Sequence, residues 1–341
     1  MTETASSPAA ARLFGMDPAA PHAMRAVVVN RFGPPEVMRV HHIDCPDPGP
    51  RQVLVHVCAA GVNPVDAQNR SDGSWAALQL PFVPGSDASG VIVAVGSAVD
   101  GFKSGDEVFY FTDFLGNRQG SYAEYQVVDA DVVARRPTKL SHVETAAVPL
   151  AGGTAYELAA RRLELSPGQW LLIFGAAGGV GSFLVQIAKA RGARVAAIAS
   201  APNHDYLKDL GADVTFDYQS EDVVSLVEKK LGAVDAIADL VGGDLLERSI
   251  PVLREGGRAA SICALTGNFE LAIDRNIALH GVLVRPDGDR VAELAMLLTD
   301  GRVTPPPIEV FGLDDVVASH KRIERGHGRG RVVLDLLGDM S

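Results

Sequence analysis

The stretch "WLLIFGAAGGVGSFLVQIAKARGARVAAIAS", residues 170–200, decides the fold. An apolar strand, Leu171 to Phe174, runs into a glycine-rich turn. An apolar-faced helix over Ser182 to Ala190 leaves the turn, with Gly192 placed as its C-terminal cap. The second strand, "RVAAIAS", follows and completes a βαβ unit. The turn itself reads Ala176, Ala177, Gly178, Gly179, Val180, Gly181, so alanine stands in the first position of G-x-G-x-x-G. Alanine is tolerated there if the backbone keeps a negative φ. Gly178 then lets the backbone approach a phosphate without a Cβ in the way, and Gly181 lets helix and strand pack closely. Free amides near Gly179 to Gly181, aided by the helix dipole, form a pyrophosphate site. A glycine turn that only packs is the alternative, and the complete βαβ context favours a bound dinucleotide.

The end of the second strand selects the dinucleotide. An NAD site places Asp or Glu there to hold the ribose 2′-hydroxyl. Here the strand ends at Ser200, "APNH" follows, and no carboxylate occurs before Asp205. Ser200, Asn203 and Lys208 suit a 2′-phosphate instead, so the cofactor is expected to be NADPH. Lys208 reads equally well as an exposed helix charge. Tyr218, after the third strand, is placed to stack on or bond to that end of the cofactor. Val241, Ala264, Leu283 and Val284 fall at strand ends that face the cofactor groove, although apolar residues of this kind also serve as plain core.

Outward from this unit, short apolar strands and helical segments alternate from "WLLIF" to "RAASICAL", which predicts a doubly wound parallel sheet. Before it, from Met24 to about Arg136, valine-rich segments bordered by Gly, Pro and Asp predict a small, partly open β-barrel. After it, two helices and the strand "GRVVLDLL" return to that barrel. The expected organisation is a tail over 1–23, a barrel over 24–147, a nucleotide-binding domain over 148–286, and a return over 287–341. A chain of 341 residues accommodates two cores. The net charge of −11 argues against a nucleic-acid partner. Three widely spaced cysteines, Cys45, Cys58 and Cys263, give no disulfide framework or zinc motif and fit the reducing cytoplasm. The Ala-, Pro- and Ser-rich first residues lack the features of a secretory signal, and no apolar run reaches the roughly 18 residues of a membrane span.

Several separated motifs occur in order: "GVNPVDAQNR" (61–70), "PFVPGSDASGVIVAVG" (81–96), "GDEV" (105–108), the glycine turn, "LGADVTFDY" (210–218) and "VRPDGDRVAEL" (284–294). Together they resemble the zinc-free quinone oxidoreductase branch of the medium-chain dehydrogenase/reductase superfamily over nearly all of Met24 to Leu337. The resemblance implies a GroES-like catalytic domain, a Rossmann domain, and NADPH in the cleft between them. It also implies a homodimer through the edges of the Rossmann sheets, with "IALHGVLV" (277–284) as the edge. Zinc-dependent relatives carry Cys where this chain has Asn63, and Gly-His-Glu where it has Gly85, Ser86 and Asp87, so no metal ligand is assigned.

Without a metal, the chemistry expected is hydride transfer to an acceptor that is already electron-poor, a quinone or an α,β-unsaturated carbonyl, with water as proton source. Asn63 is the candidate polar group at the acceptor. Asn-Pro is equally a turn signal. Asp66 is read as a helix cap. Thr154 resembles the threonine that lies against the nicotinamide, or simply starts a helix. Tyr110, Tyr122 and Trp75 are possible walls of the substrate cleft. An enoyl-thioester reductase and a non-catalytic NADPH-binding protein share these features and stand as alternatives.

Overall fold

The computed structural model describes residues 21–117, 119–219, 222–326 and 328–338. Most of the tail expected over 1–23 therefore lies outside the described residues.

The first part of the chain is built from seven strands: β1 (Ala23–Val29), β2 (Met38–Asp44), β3 (Gln52–Val62), β4 (Asp87–Val95), β5 (Glu107–Phe111), β6 (Tyr125–Asp129) and β7 (Val133–Arg135). Helix α1 (Pro64–Ser71) leaves the end of β3, and α2 (His142–Ala146) follows β7. β1 and β2 pair antiparallel as a separate ribbon. β2 was not expected, because "MRVHHID" alternates without a clear apolar face; only the pairing of Val27 with Val40 and of its neighbours reveals it.

The second part is a six-stranded sheet: β8 (Trp170–Phe174), β9 (Arg194–Ile198), β10 (Val214–Phe216), β11 (Val234–Asp239), β12 (Leu253–Ser261) and β13 (Ala278–Gly281). All its pairings are parallel, in the order β10-β9-β8-β11-β12-β13. Helices α3 (Pro149–Tyr156), α4 (Gly179–Ala190), α5 (His204–Asp209), α6 (Val223–Leu231), α7 (Leu245–Ser249) and α8 (Glu270–Asp274) accompany it. The strands are apolar on both faces because both faces are covered. Leu171 and Ile173 enter one core, while their neighbours Leu172 and Phe174 enter another on the opposite side. The order reverses beside β8, and the crevice at the carboxyl ends of β8 and β11 is the site such a sheet offers to a ligand.

The chain then forms α9 (Gly288–Thr299), β14 (Ile308–Gly312), α10 (Val316–Glu324) and β15 (Arg331–Asp335). β15 pairs antiparallel with β3, placing Val332 opposite Val62 and Leu334 opposite Ala60. The barrel sheet therefore runs β14-β15-β3-β4-β5-β7, with β6 also on β3. This return brings the last strand of the chain beside Asn63, at the mouth of the cleft. No helix among the described residues is long and apolar enough to cross a membrane.

Candidate functional site

The glycine turn follows β8. Positive φ falls on Gly175, at 76°, one residue before the alanine that occupies the first motif position. Gly175 thus makes the sharp turn, and Ala176 keeps an ordinary backbone with its amide donated to Ile198 O at 3.1 Å. The side chains of Ala176 and Ala177 turn into the core rather than the cleft. Helix α4 begins at Gly179, earlier than the Ser182 expected, with Gly178 as N-cap (φ −73°, ψ 176°) and no capping side chain. The bond from Ser182 N to Gly178 O, 2.9 Å, opens the helix, so the amides of Gly179, Val180 and Gly181 precede any intrahelical partner. A Cβ on Gly181 would lie 2.4 Å from Gly175 O, which fixes glycine there by packing. A Cβ on Gly178 would meet only Gly175 O, at 3.3 Å, and would otherwise project into open space.

That space is a cavity of about 620 Å³ between the two sheets. Gly178, Gly179, Val180, Leu283 and Val284 line it from the nucleotide-binding side, and Asn63 and Thr154 line it as well. The structure thus gathers these sequence-predicted residues on one cleft. Val241 and Ala264 are displaced from it. Leu240 and Cys263 form the wall there, Val241 lies against the Gly175 turn, and Ala264 is exposed. For Val241 the path is set by Asp239, whose carboxylate accepts the amides of Val241 (3.0 Å) and Gly242 (2.9 Å) and turns the chain tightly.

Asn63 is the N-cap of α1 and is 3% exposed. Its carboxamide orientation is forced by its partners. Arg331 Nη2, which can only donate, bonds Asn63 Oδ1 at 2.8 Å, and Asn63 Nδ2 donates to Asp87 Oδ2 at 2.9 Å. One amide hydrogen of Asn63 remains for the cavity. Asp66 caps the same helix from its third position, accepting Asn63 N at 2.8 Å, Ser86 Oγ at 2.9 Å and Tyr122 Oη at 3.2 Å. Burial pushes the Asp66 carboxyl up to about 7, against the pull of those three donors. Burial likewise raises Asp87 to about 6, opposed by the Arg331 guanidinium at 2.9 Å. Thr154 Oγ1 donates to Leu150 O at 2.7 Å, so its hydroxyl hydrogen is used and its lone pairs remain as acceptors.

Arg331 was missed by sequence reasoning, although "GRGRVV" before a final strand is its signal. It is 6% exposed, and its Nε donates to Ala147 O at 2.9 Å. Its Nη1 lies 3.2 Å from where a Cβ on Gly179 would sit, which sets a guanidinium against the first turn of α4. A single cation from the barrel's last strand thus lies against both Asn63 and the glycine turn.

After β9, Asn203 Nδ2 donates to Ser200 Oγ at 3.0 Å, and neither residue is among those that line the cavity. Lys208 pairs with Asp205 at 3.2 Å on the exposed face of α5. Tyr218 is 47% exposed and is not among the cavity-lining residues. A cation that sequence reasoning overlooked, Arg329, lines the cavity with its guanidinium 5.0 Å from the ring centre of Tyr206. Of the aromatic residues considered for the substrate cleft, Tyr110 and Tyr122 are fully buried, whereas Trp75 lines the cavity.

A parallel nucleotide-type sheet joined to a barrel across a glycine-lined cleft is the two-domain dehydrogenase architecture. Residues 49–138 match the alcohol dehydrogenase GroES-like domain, and residues 210–334 match the zinc-binding dehydrogenase family. A 2-methylene-furan-3-one reductase of Solanum lycopersicum is 37% identical over 97% of this chain and 84% of its own. A chloroplastic NADPH-dependent alkenal/one oxidoreductase of Arabidopsis thaliana is 35% identical over 93% of this chain and 81% of its own. The quinone oxidoreductase structure from Coxiella burnetii superposes with a TM-score of 0.84 at 33% identity, covering 92% of this chain and 99% of that one. The chain belongs to the medium-chain dehydrogenase/reductase superfamily, in its quinone oxidoreductase branch.

The zinc in one family description does not suit these residues. Around Asn63 stand Ser86, Asp87 and Asp66, with no thiolate or imidazole among them, and Asp87 is committed to Arg331, Asn63 and the Leu150 amide. No group of three His, Cys, Asp or Glu among the described residues is arranged to hold a metal.

Proposed function

We propose that the protein is an NADPH-dependent oxidoreductase that reduces quinones or α,β-unsaturated carbonyls without zinc. The observation that carries this reading is the set of uncapped amides at Gly179, Val180 and Gly181, opening on the same cavity as Asn63 and Thr154. Relatives known as a furanone reductase, an NADPH-dependent alkenal/one oxidoreductase and a quinone oxidoreductase support the substrate class and the cofactor. NADPH, when bound, supplies the hydride; with one proton from water this converts a quinone to a hydroquinone or an enone to a saturated carbonyl.

The chain's own residues hold and orient. The first turn of α4, with Arg331, takes the pyrophosphate. Ser200, Asn203 and Arg329 take the 2′-phosphate, with Lys208 and Tyr218 at its periphery. Thr154 accepts a hydrogen bond from the nicotinamide side, where Leu283 and Val284 give the ring an apolar bed. Asn63 offers its remaining amide hydrogen to the oxygen that gains charge as the acceptor is reduced.

The apolar edge of the parallel sheet supports a homodimer. Among the described residues β13 is bonded on one side only, to β12, and Ile273 (79% exposed) and Leu271 (41% exposed) lie nearby on α8. Three unpaired cysteines fit a reducing cytoplasm.

The test is NADPH oxidation by the purified protein against a panel of quinones, enones and enoyl thioesters. Turnover of either class supports the reading. Tight NADPH binding without turnover of any member overturns it in favour of a binding protein, and turnover confined to enoyl thioesters overturns it in favour of that reductase.

A further inference from the structure

Resting on the reductase reading, we infer that Trp75 and Phe114 form an aromatic wall that selects flat, ring-fused quinones over acyclic enones. Trp75 lines the cavity and is 48% exposed, so its indole face is open to that space. Phe114 lies beside it, 7% exposed and in the same cavity, with ring centres 6.4 Å apart and planes inclined by 42°.

The wall is held in place before any acceptor arrives. Trp75 sits on a single 3-10 turn, Gly73–Ala76, whose first glycine is packed against Phe32 and Leu78 with no space for a Cβ. Asn69 Nδ2 donates to Phe114 O at 2.9 Å in the buried interior. Gly116 N donates to Ala76 O at 2.7 Å, tying the two loops together. Asp113, next to Phe114, is bridged by Arg285 of the other domain at 2.8 and 3.1 Å.

A rigid indole face loses little conformational freedom on binding, and it rewards an acceptor with a flat π-face of its own. A fused quinone presents such a face; an acyclic enone does not, and gains from the wall only the burial of its alkyl chain, which a leucine supplies as well. Both acceptors take one hydride and one proton, so the difference lies in binding rather than in the chemistry.

The experiment compares wild type, Trp75→Leu and Trp75→Phe with 9,10-phenanthrenequinone and 1-octen-3-one. The ratio of kcat/KM for quinone to that for enone is expected to fall roughly tenfold in Trp75→Leu, the effect of one stacked ring, through KM, and to recover in Trp75→Phe. Calorimetric titration of the NADP⁺-loaded protein with the quinone, where no turnover occurs, is expected to show the same loss and the same recovery. An unchanged ratio, equal losses with both acceptors, or no recovery in Trp75→Phe overturns the wall while leaving the reductase reading intact. Absence of wild-type turnover with both acceptors overturns that reading and the wall with it.

Discussion

A carboxyl buried in this fold has to be held by something, and Asp66 shows how. It is 2% exposed and bonded to three donors, yet burial dominates and lifts its pKa to about 7. The folded state therefore binds a proton that the unfolded chain, with an ordinary aspartate near 4, has already lost. Stability from this group is greatest below pH 4 and declines as the pH rises towards 7. Relative to Asp66→Asn, wild type is expected to lose roughly 2 kcal/mol of unfolding free energy between pH 5 and 8. Urea titrations of both proteins at the two pH values measure this, and an equal difference at both would contradict it. The sequence indicated Asp66 as a cap, and it is one. Its burial beneath Tyr122 was not legible, because 56 residues separate them. Arg331 was invisible for the same reason: its partners Asn63 and Asp87 lie 268 and 244 residues away.

At the scale of elements, the βα alternation was readable because both faces of each strand are apolar and the helices between them carry one apolar face. The turn was readable to within a residue or two. Its sharp bend is at Gly175, and its helix begins at Gly179 because a glycine N-cap carries no side chain to mark the start. Strands that depend on a distant partner for their meaning were harder. β14 carries the half-exposed sequence "IEVFG" and is a strand because β15 pairs with it in parallel. The loop after β11 misled by one position, since the side chain of Asp239 rather than the apolar pattern sets its path. Gly178→Val tests the turn as an element. The backbone there, φ −73° and ψ 176°, suits valine, and the new side chain points to open space. The variant is expected to keep its thermal midpoint within a few degrees and to lose NADPH affinity on the order of a hundredfold or more, an estimate from the loss of backbone approach to the phosphates. Fluorescence titration and thermal melting read the two quantities, and unchanged affinity would remove the turn from the site.

For the whole molecule, the decisive fact is that the chain leaves the barrel, builds the parallel sheet and comes back. The first and last strands around the cleft, β3 and β15, pair directly, so Asn63 and Arg331 meet beside a turn contributed by the other sheet. The free edge at β13 and the exposed Ile273 support our proposal that two chains pair there. Ile273→Asp is expected to shift sedimentation from a dimer to a monomer, and a wild-type protein that sediments as a monomer would refute the edge-to-edge arrangement. At the centre of the molecule, we propose, the amides at the start of α4 and the cations of the return segment bind a phosphorylated pyridine nucleotide. Isothermal calorimetry of the purified protein tests it most directly. The account predicts one NADPH per chain, bound more tightly than NADH. No heat of association with either nucleotide, or preference for NADH, would contradict it.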